Sequence, residues 1–260
     1  MFREDEIRAL LPCGDLGEPL YYFQQLPSTN DEAARLALTG IKHGAMVVAD
    51  EQTRGRGRLE RRWITAPGSG LAFSLVLRPS PDPPGTSLYF AGLGALAVAK
   101  ALERHDLSPE IKWPNDVLLD GRKTAGILAE ASWKDGEMSH LILGIGVNVH
   151  PGSVPPSESL RYPATCVDRE AGREIERAGL LRDIVCEIRG LLERRGAEWV
   201  EDWETRLAFR GQQVTVVLAD ENLRGRLDGL SPEGQARLTI GSESVCLATG
   251  EIRPVDVDRG

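Results

Sequence analysis

The sequence is poor in the residues on which many enzyme classes depend. Its four histidines, His43, His105, His140 and His150, are scattered along 260 residues without HExxH spacing, which excludes a zinc site on a helical histidine pair. No GxSxG occurs, so a nucleophile elbow is excluded too. The four cysteines, Cys13, Cys166, Cys186 and Cys246, form no CxxC. Free thiols in a reducing cytoplasm are expected, not a disulfide framework. The longest apolar run, "LYFAGLGALAVAKAL", contains glycine and is broken by Lys100, so it reads as a buried helix and not a membrane span. The charged start, "MFREDEIRALL", is unlike a signal peptide. A soluble, cytoplasmic protein with no membrane partner is expected. Nor is there a surplus of positive charge. A net charge of −8 argues against a general nucleic-acid binder, which needs cations to neutralise phosphates.

Against that acidic background one loop is basic. "QTRGRGRLERR", residues 52–62, holds Arg54, Arg56, Arg58, Arg61 and Arg62. It departs from GxGxxG at Glu60, and no helical periodicity follows, so the dinucleotide reading fails. Gly55 and Gly57 allow the backbone to approach a ligand closely, while the guanidiniums suit a carboxylate or phosphate. Taken alone, the loop is equally compatible with a solvated surface. In "KWPNDVLLDGRKTAGILAE" the polar Lys112, Asn115, Asp116 and Lys123 bracket short strands at a proline turn; plain turn chemistry also accounts for Asn115-Asp116. "DGRKT" is no phosphate-binding P-loop, because Val117 stands where the leading glycine belongs. What remains is cationic and amide chemistry suited to an anionic substrate.

Periodicity and turn residues give the organisation. "YYFQQL" (21–26), "AMVVAD" (45–50) and "LAFSLVL" (71–77) read as strands. A helix follows at "STN", where Ser28, Thr29 and Asn30 are all N-cap types, Thr29 to Glu32 fits a capping box and Gly40 suits the end; another covers about 87–104. "EIKW", "VLL", "TAGILAEAS" and "HLILGIGVNV" read as an antiparallel meander turned at Asp120-Gly121 and Asp135-Gly136. Helices follow at about 174–195 and 198–208. From Gly211 short strands alternate with turns, as in a small β-barrel that needs a partner to pack against. The order, mixed α+β and then all-β, predicts two domains, 1–208 and 209–260.

"STN", "EQTRGRGRLERRW", "KWPNDVLLDGRKTAGILAE" and "GIGVNVH" stand in the order and approximate spacing of the biotin protein ligases, the biotin–acetyl-CoA-carboxylase ligases, and the chain resembles that family from about residue 20 to 260. The resemblance implies an α+β catalytic domain like that of class II aminoacyl-tRNA synthetases, followed by an SH3-like C-terminal barrel. It implies a ligase that uses biotin, ATP and Mg2+ to make biotinyl-5′-AMP and then passes biotin to a lysine of the biotin carboxyl carrier protein of acetyl-CoA carboxylase. By position, Ser28, Thr29, Asn30 and Gln52 match residues around the biotin bicycle, and Arg56, Gly57 and Arg58 match the loop that folds over biotin and adenylate. Lys123 matches the lysine beside the reacting carboxylate and phosphate. Trp63, Asn115 and Asn148 match positions near the adenylate. Lys123 and Arg58 are the expected catalytic residues, and no protein metal ligand is expected. Glu60 and Arg54 depart from the family pattern. A monofunctional enzyme without DNA is expected, since little chain precedes "STN"; a homodimer is left open. The alternatives are a lipoate-type ligase, a biotin-responsive DNA-binding regulator and a noncatalytic biotin sensor.

Overall fold

The strands expected from alternation and turn chemistry assemble into two sheets in a computed structural model, which describes residues 4–11, 14–59, 61–78, 87–156, 162–194 and 198–255. The larger sheet contains β1 (Leu20–Leu26), β2 (Met46–Gln52), β3 (Gly70–Leu77), β4 (Pro109–Lys112), β5 (Asp116–Leu119), β6 (Arg122–Lys134) and β7 (Glu137–Asn148). Their order is β1-β2-β3-β7-β6-β5-β4. Only β1 and β2 pair in parallel; the remaining pairs are antiparallel, including the expected β4–β7 meander. Asp120 and Gly121 at the β5–β6 turn have φ of 49° and 66°, the left-handed pair that a tight hairpin requires.

Among the described residues there are six α-helices: α1 (Glu4–Leu10), α2 (Thr29–Leu38), α3 (Ser87–Glu103), α4 (Val167–Ala171), α5 (Arg177–Glu193) and α6 (Val200–Thr205). The faces divide by strand parity. Leu71, Phe73, Leu75, Leu141, Leu143 and Ile145 point toward α3 and α5, whereas Val76, Ile142, Val47 and Ala49 meet α2. Helix α3 is buried along almost its whole length, in keeping with its apolar composition. A Cβ on its Gly92 would lie 2.2 Å from the Trp203 ring, so the glycine admits that indole.

Two expectations near the helices are corrected. The cap of α2 is Ser28, whose hydroxyl accepts from Asp31 N at 3.4 Å, and not a Thr29–Glu32 box. Thr29 is drawn away because its N–H and hydroxyl both reach Gln52 Oε1, at 2.8 and 3.1 Å. The four cysteines are not all free thiols: Cys166 and Cys246 are, but Cys186 is disulfide-bonded. Cys13 lies outside the described residues.

The second sheet comprises β8 (Gln213–Val217), β9 (Asn222–Leu230), β10 (Ala236–Ile240), β11 (Glu243–Leu247) and β12 (Glu251–Pro254), all antiparallel, in the order β11-β10-β9-β8-β12. The sequence reading had no strand at β12, which is short and half polar. The sheet agrees with an SH3-like module, and among the described residues β11 and β12 are its edge strands. Trp113 Nε1 donates to Gly234 O at 3.0 Å, and Leu230 N donates to Glu204 Oε2 at 2.7 Å. These bonds seat the sheet against the β4–β5 hairpin and α6.

A buried ion pair ties the large sheet to α5. Arg177 Nη1 lies 2.9 Å from Asp50 Oδ1, with the two residues 6% and 2% exposed. Removing one member of such a pair costs about 3–5 kcal/mol, because the other charge stays buried. Asp50→Ala is therefore expected to lose that much unfolding free energy in urea titrations. A loss under about 1 kcal/mol, the range of a surface pair, would show that Asp50 is not structural.

Candidate active site

Small residues open a notch in the large sheet. Ala72, Gly146 and Gly126 stand side by side on β3, β7 and β6, and the next row is Ser74, Gly144 and Leu128. Alternation puts both rows on the face that carries α2. The glycines are required by space. A Cβ on Gly144 would lie 1.9 Å from Asn30 Oδ1, and one on Gly146 would lie 2.3 Å from Trp63 Cε2.

Ser28, Thr29 and Asn30, at the start of α2, form one wall of the resulting cavity, and Gln52 at the end of β2 adjoins them. Their polar groups form a chain. Ser74 Oγ is 2.8 Å from Thr29 Oγ1 and 2.7 Å from Asn30 Oδ1, while Thr29 reaches Gln52. This part of the pocket offers neutral donors and acceptors, and Asn30 and Ser74 are buried.

The arginine loop covers the notch as a narrow hairpin. Gly57 N donates to Arg61 O at 2.7 Å, and Trp63 N donates to Gly55 O at 2.9 Å. Carboxylates hold it on two flanks. Arg56 makes two 2.8 Å bonds to Glu130 and lies 2.8 Å from Asp31, while Arg61 pairs with Glu251 of β12. Arg58 Nη1 donates to Asn115 Oδ1 at 3.2 Å. Burial holds the Arg58 guanidinium below its usual value, with Asp116 working the other way. Arg54 is exposed, and Glu60 lies outside the described residues.

Charge concentrates at the other end. Apart from Arg56, which Glu130 and Asp31 already pair, the cavity is lined by five cationic side chains, Arg58, Arg61, Arg62, Lys112 and Lys123, against two carboxylates, Asp116 and Glu251. That imbalance suits an anion. Lys123 Nζ lies 2.5 Å from Asp116 Oδ1 and 5.7 Å from the Trp63 ring centroid. Lys112, 2% exposed, lies 3.5 Å from Asp116, 3.7 Å from Glu251 and 4.6 Å from the Tyr162 ring centroid. Burial acts to raise the Asp116 carboxyl, but Lys123 and Lys112 outweigh it and keep it below the usual carboxylate value. Glu251 is likewise held low against burial, by Arg61 and Lys112.

Ten of the expected site residues thus share one cavity: Ser28, Thr29, Asn30, Gln52, Arg56, Gly57, Arg58, Trp63, Asn115 and Lys123. Asn148 lines the adjoining cavity with Tyr162 and Ala164, and its amide donates to Thr165 O at 3.1 Å. Sequence reading noted Lys112 and Asp116 without giving them a task, and it missed Ser74, Glu130 and Glu251. The "GIG" of β7 did carry a signal, because glycines two apart on a strand share a face.

Known proteins resemble this chain in sequence and in fold. The model of the Biotin/lipoate A/B protein ligase family matches residues 22–148. The bifunctional ligase/repressor BirA of Bacillus subtilis is 39% identical over 89% of this chain and 72% of its own length. The chain belongs to the biotin protein ligase family. The biotin–[acetyl-CoA-carboxylase] ligase of Paracoccus denitrificans is 33% identical, over 80% of this chain and 88% of that ligase. Among solved structures, a biotin protein ligase from Aquifex aeolicus in complex with biotin and ATP superposes with a TM-score of 0.79 at 30% identity, covering 92% of this ligase and all of that one.

The Asp116 cluster makes a pH prediction. A carboxyl held below its unfolded-state value contributes stability that is present above the unfolded pKa and lost as pH falls through the folded one. The unfolding free energy is therefore expected to decline from about pH 4 downward, and less steeply in Asp116→Asn. Denaturant titrations across that range check this; parallel acid limbs would reject it.

Proposed function

We propose that the chain joins biotin to a lysine of the biotin carboxyl carrier protein of acetyl-CoA carboxylase, by way of biotinyl-5′-AMP. The carrying observation is the joint placement of a neutral, glycine-floored pocket and a cationic cluster under one arginine lid. The pocket polar groups, Thr29, Asn30 and Gln52, suit a ureido ring, which both donates and accepts hydrogen bonds. A dithiolane has no such groups, so this favours biotin over lipoate. The name BirA bears a repressor function in the Bacillus relative, and titration with duplex DNA at several salt concentrations tests for that separately.

In the first step a biotin carboxylate oxygen bonds to the ATP α-phosphorus and pyrophosphate leaves. Two anions must approach, so the contribution of the protein is charge and position. Lys123 lies at the seam between pocket and cationic cluster, with Asp116 aiming its ammonium. Arg58 closes over the same seam, Asn115 fixing its direction, and Trp63 and Asn148 border the nucleotide side. In the second step a carrier lysine amine attacks the acyl carbon, AMP leaves and the amine loses its proton. No enzyme nucleophile is involved.

Magnesium is read as part of the nucleotide. Asp116 and Glu251, the two carboxylates that line the cavity, both face cations. Phosphate oxygens are the natural ligands for it. We further read residues 1–208 as the catalytic domain and 209–260 as the SH3-like one, with Glu251 the point at which the second reaches the lid.

Lys123→Ala removes a charged hydrogen-bond donor worth about 1.5–3 kcal/mol. Biotin-dependent ATP–pyrophosphate exchange is expected to fall about tenfold to a hundredfold, and near-normal exchange would remove Lys123 from the reaction. Arg58→Gly takes away the guanidinium and frees the backbone. It is expected to make adenylate still but to release it sooner, so that an added bystander protein becomes biotinylated. Labelling confined to the carrier at unchanged release rates would show that Arg58 is not the latch.

A further inference from the structure

Glu130 follows the notch along β6: Gly126, Leu128 and Glu130 alternate onto one face, and Glu130 pairs across the ladder with Ile142, two residues before Gly144. We propose that Glu130 is a positioning residue that couples the lid to the biotin pocket, its carboxylate gripping Arg56 and fixing the Asn30 amide at once. The inference rests on the ligase reading above.

A carboxylate can only accept hydrogen bonds, whereas a side-chain amide has a donating and an accepting end. Glu130 Oε2 lies 2.7 Å from Asn30 Nδ2, which also reaches Leu128 O at 3.3 Å. These two acceptors hold the NH2 end, so Oδ1 turns toward Ser74, 2.7 Å away. Ser74 is in turn 2.8 Å from Thr29 Oγ1, and Thr29 reaches Gln52. One carboxylate therefore fixes which end of the Asn30 amide faces Ser74, the start of the polar chain that would meet the ureido ring. The same carboxylate takes both Arg56 bonds at 2.8 Å, in the bidentate form that gives direction as well as attraction. The lid cannot lift at Arg56 without disturbing the group that orders the pocket.

The Arg56 and Glu130 side chains are 41% and 35% exposed, and ion pairs that open to water add little to stability. Binding, not folding, is where the contact matters. Asp31 provides a comparison, since it lies 2.8 Å from Arg56 Nη2, whereas the Asn30 amide is bonded to Glu130 and Leu128.

Wild-type biotin-dependent ATP–pyrophosphate exchange is measured first; its absence would overturn the ligase reading itself. In active enzyme, Glu130→Gln keeps the shape and removes the charge. The KM for biotin and the release rate of biotinyl-adenylate are each expected to rise about tenfold, the loss of one charged hydrogen bond. The KM for ATP and the urea unfolding midpoint are expected to stay within error. Asp31→Asn is expected to speed release while leaving the KM for biotin unchanged. An unchanged biotin KM in Glu130→Gln would overturn the inference. So would a parallel rise in both KM values with lost stability, or the same biotin KM shift in Asp31→Asn.

Discussion

A buried carboxylate between two ammonium groups organises this molecule. Asp116 has Lys123 on one oxygen and Lys112 on the other, and the three side chains come from the ends of β4 and β5 and from β6. Without Asp116 two cations would face each other in a poorly solvated space, where like charges repel more strongly than in water. With it they form a cluster that is compact yet still cationic. Lys112 extends the cluster to Glu251, and Glu251 extends it to Arg61. The chain of charges thus crosses from the large sheet through the small one into the lid. The small sheet is no appendage: one of its strands supplies a counter-ion for the site.

The geometry of the sheet divides the work. Where β3, β6 and β7 carry glycine, alanine and serine, the sheet surface recedes, and the start of α2 and the arginine hairpin close over the hollow. Where β4 and β5 end, the same sheet presents charge. The two halves are adjacent because β6 contributes to both, with Lys123 near its start and Gly126 three residues on.

Much of this was legible in the sequence, for reasons that differ from residue to residue. The Asp-Gly turns, the apolar α3 and the alternating strands follow from local chemistry, and the structure contains them all. The arginine loop drew attention as five arginines in an acidic chain, though alone it fitted a solvated surface equally well. Glu130 and Glu251 gave no such notice. Glu130 is one of many acidic residues, and its meaning comes from Asn30, a hundred positions earlier, which only the β7–β6 ladder and the packing of α2 bring near. Glu251 sits on a strand too short to show a pattern, and its partners are distant in the chain. The Cys186 disulfide was missed likewise, because spacing says nothing about which thiols meet in space. Thr29 shows the converse error, a residue whose local pattern fits a cap but whose side chain is claimed by Gln52 across the pocket.

The glycine rows set a direction on how this pocket can change. On Gly126, Gly144 and Gly146 the strands have already shed every side-chain atom they could, and any replacement adds volume toward Lys123, Asn30 or Trp63. Point substitutions at these three glycines can only make the cavity smaller. The glycines can give no further room, so a relative that accepts a bulkier ligand has to find it at Leu128 or in the elements that lie over the floor, the helix start and the arginine hairpin. Diversification of this scaffold is then expected to be read at Leu128 and in its covering elements, while the glycines stay bare.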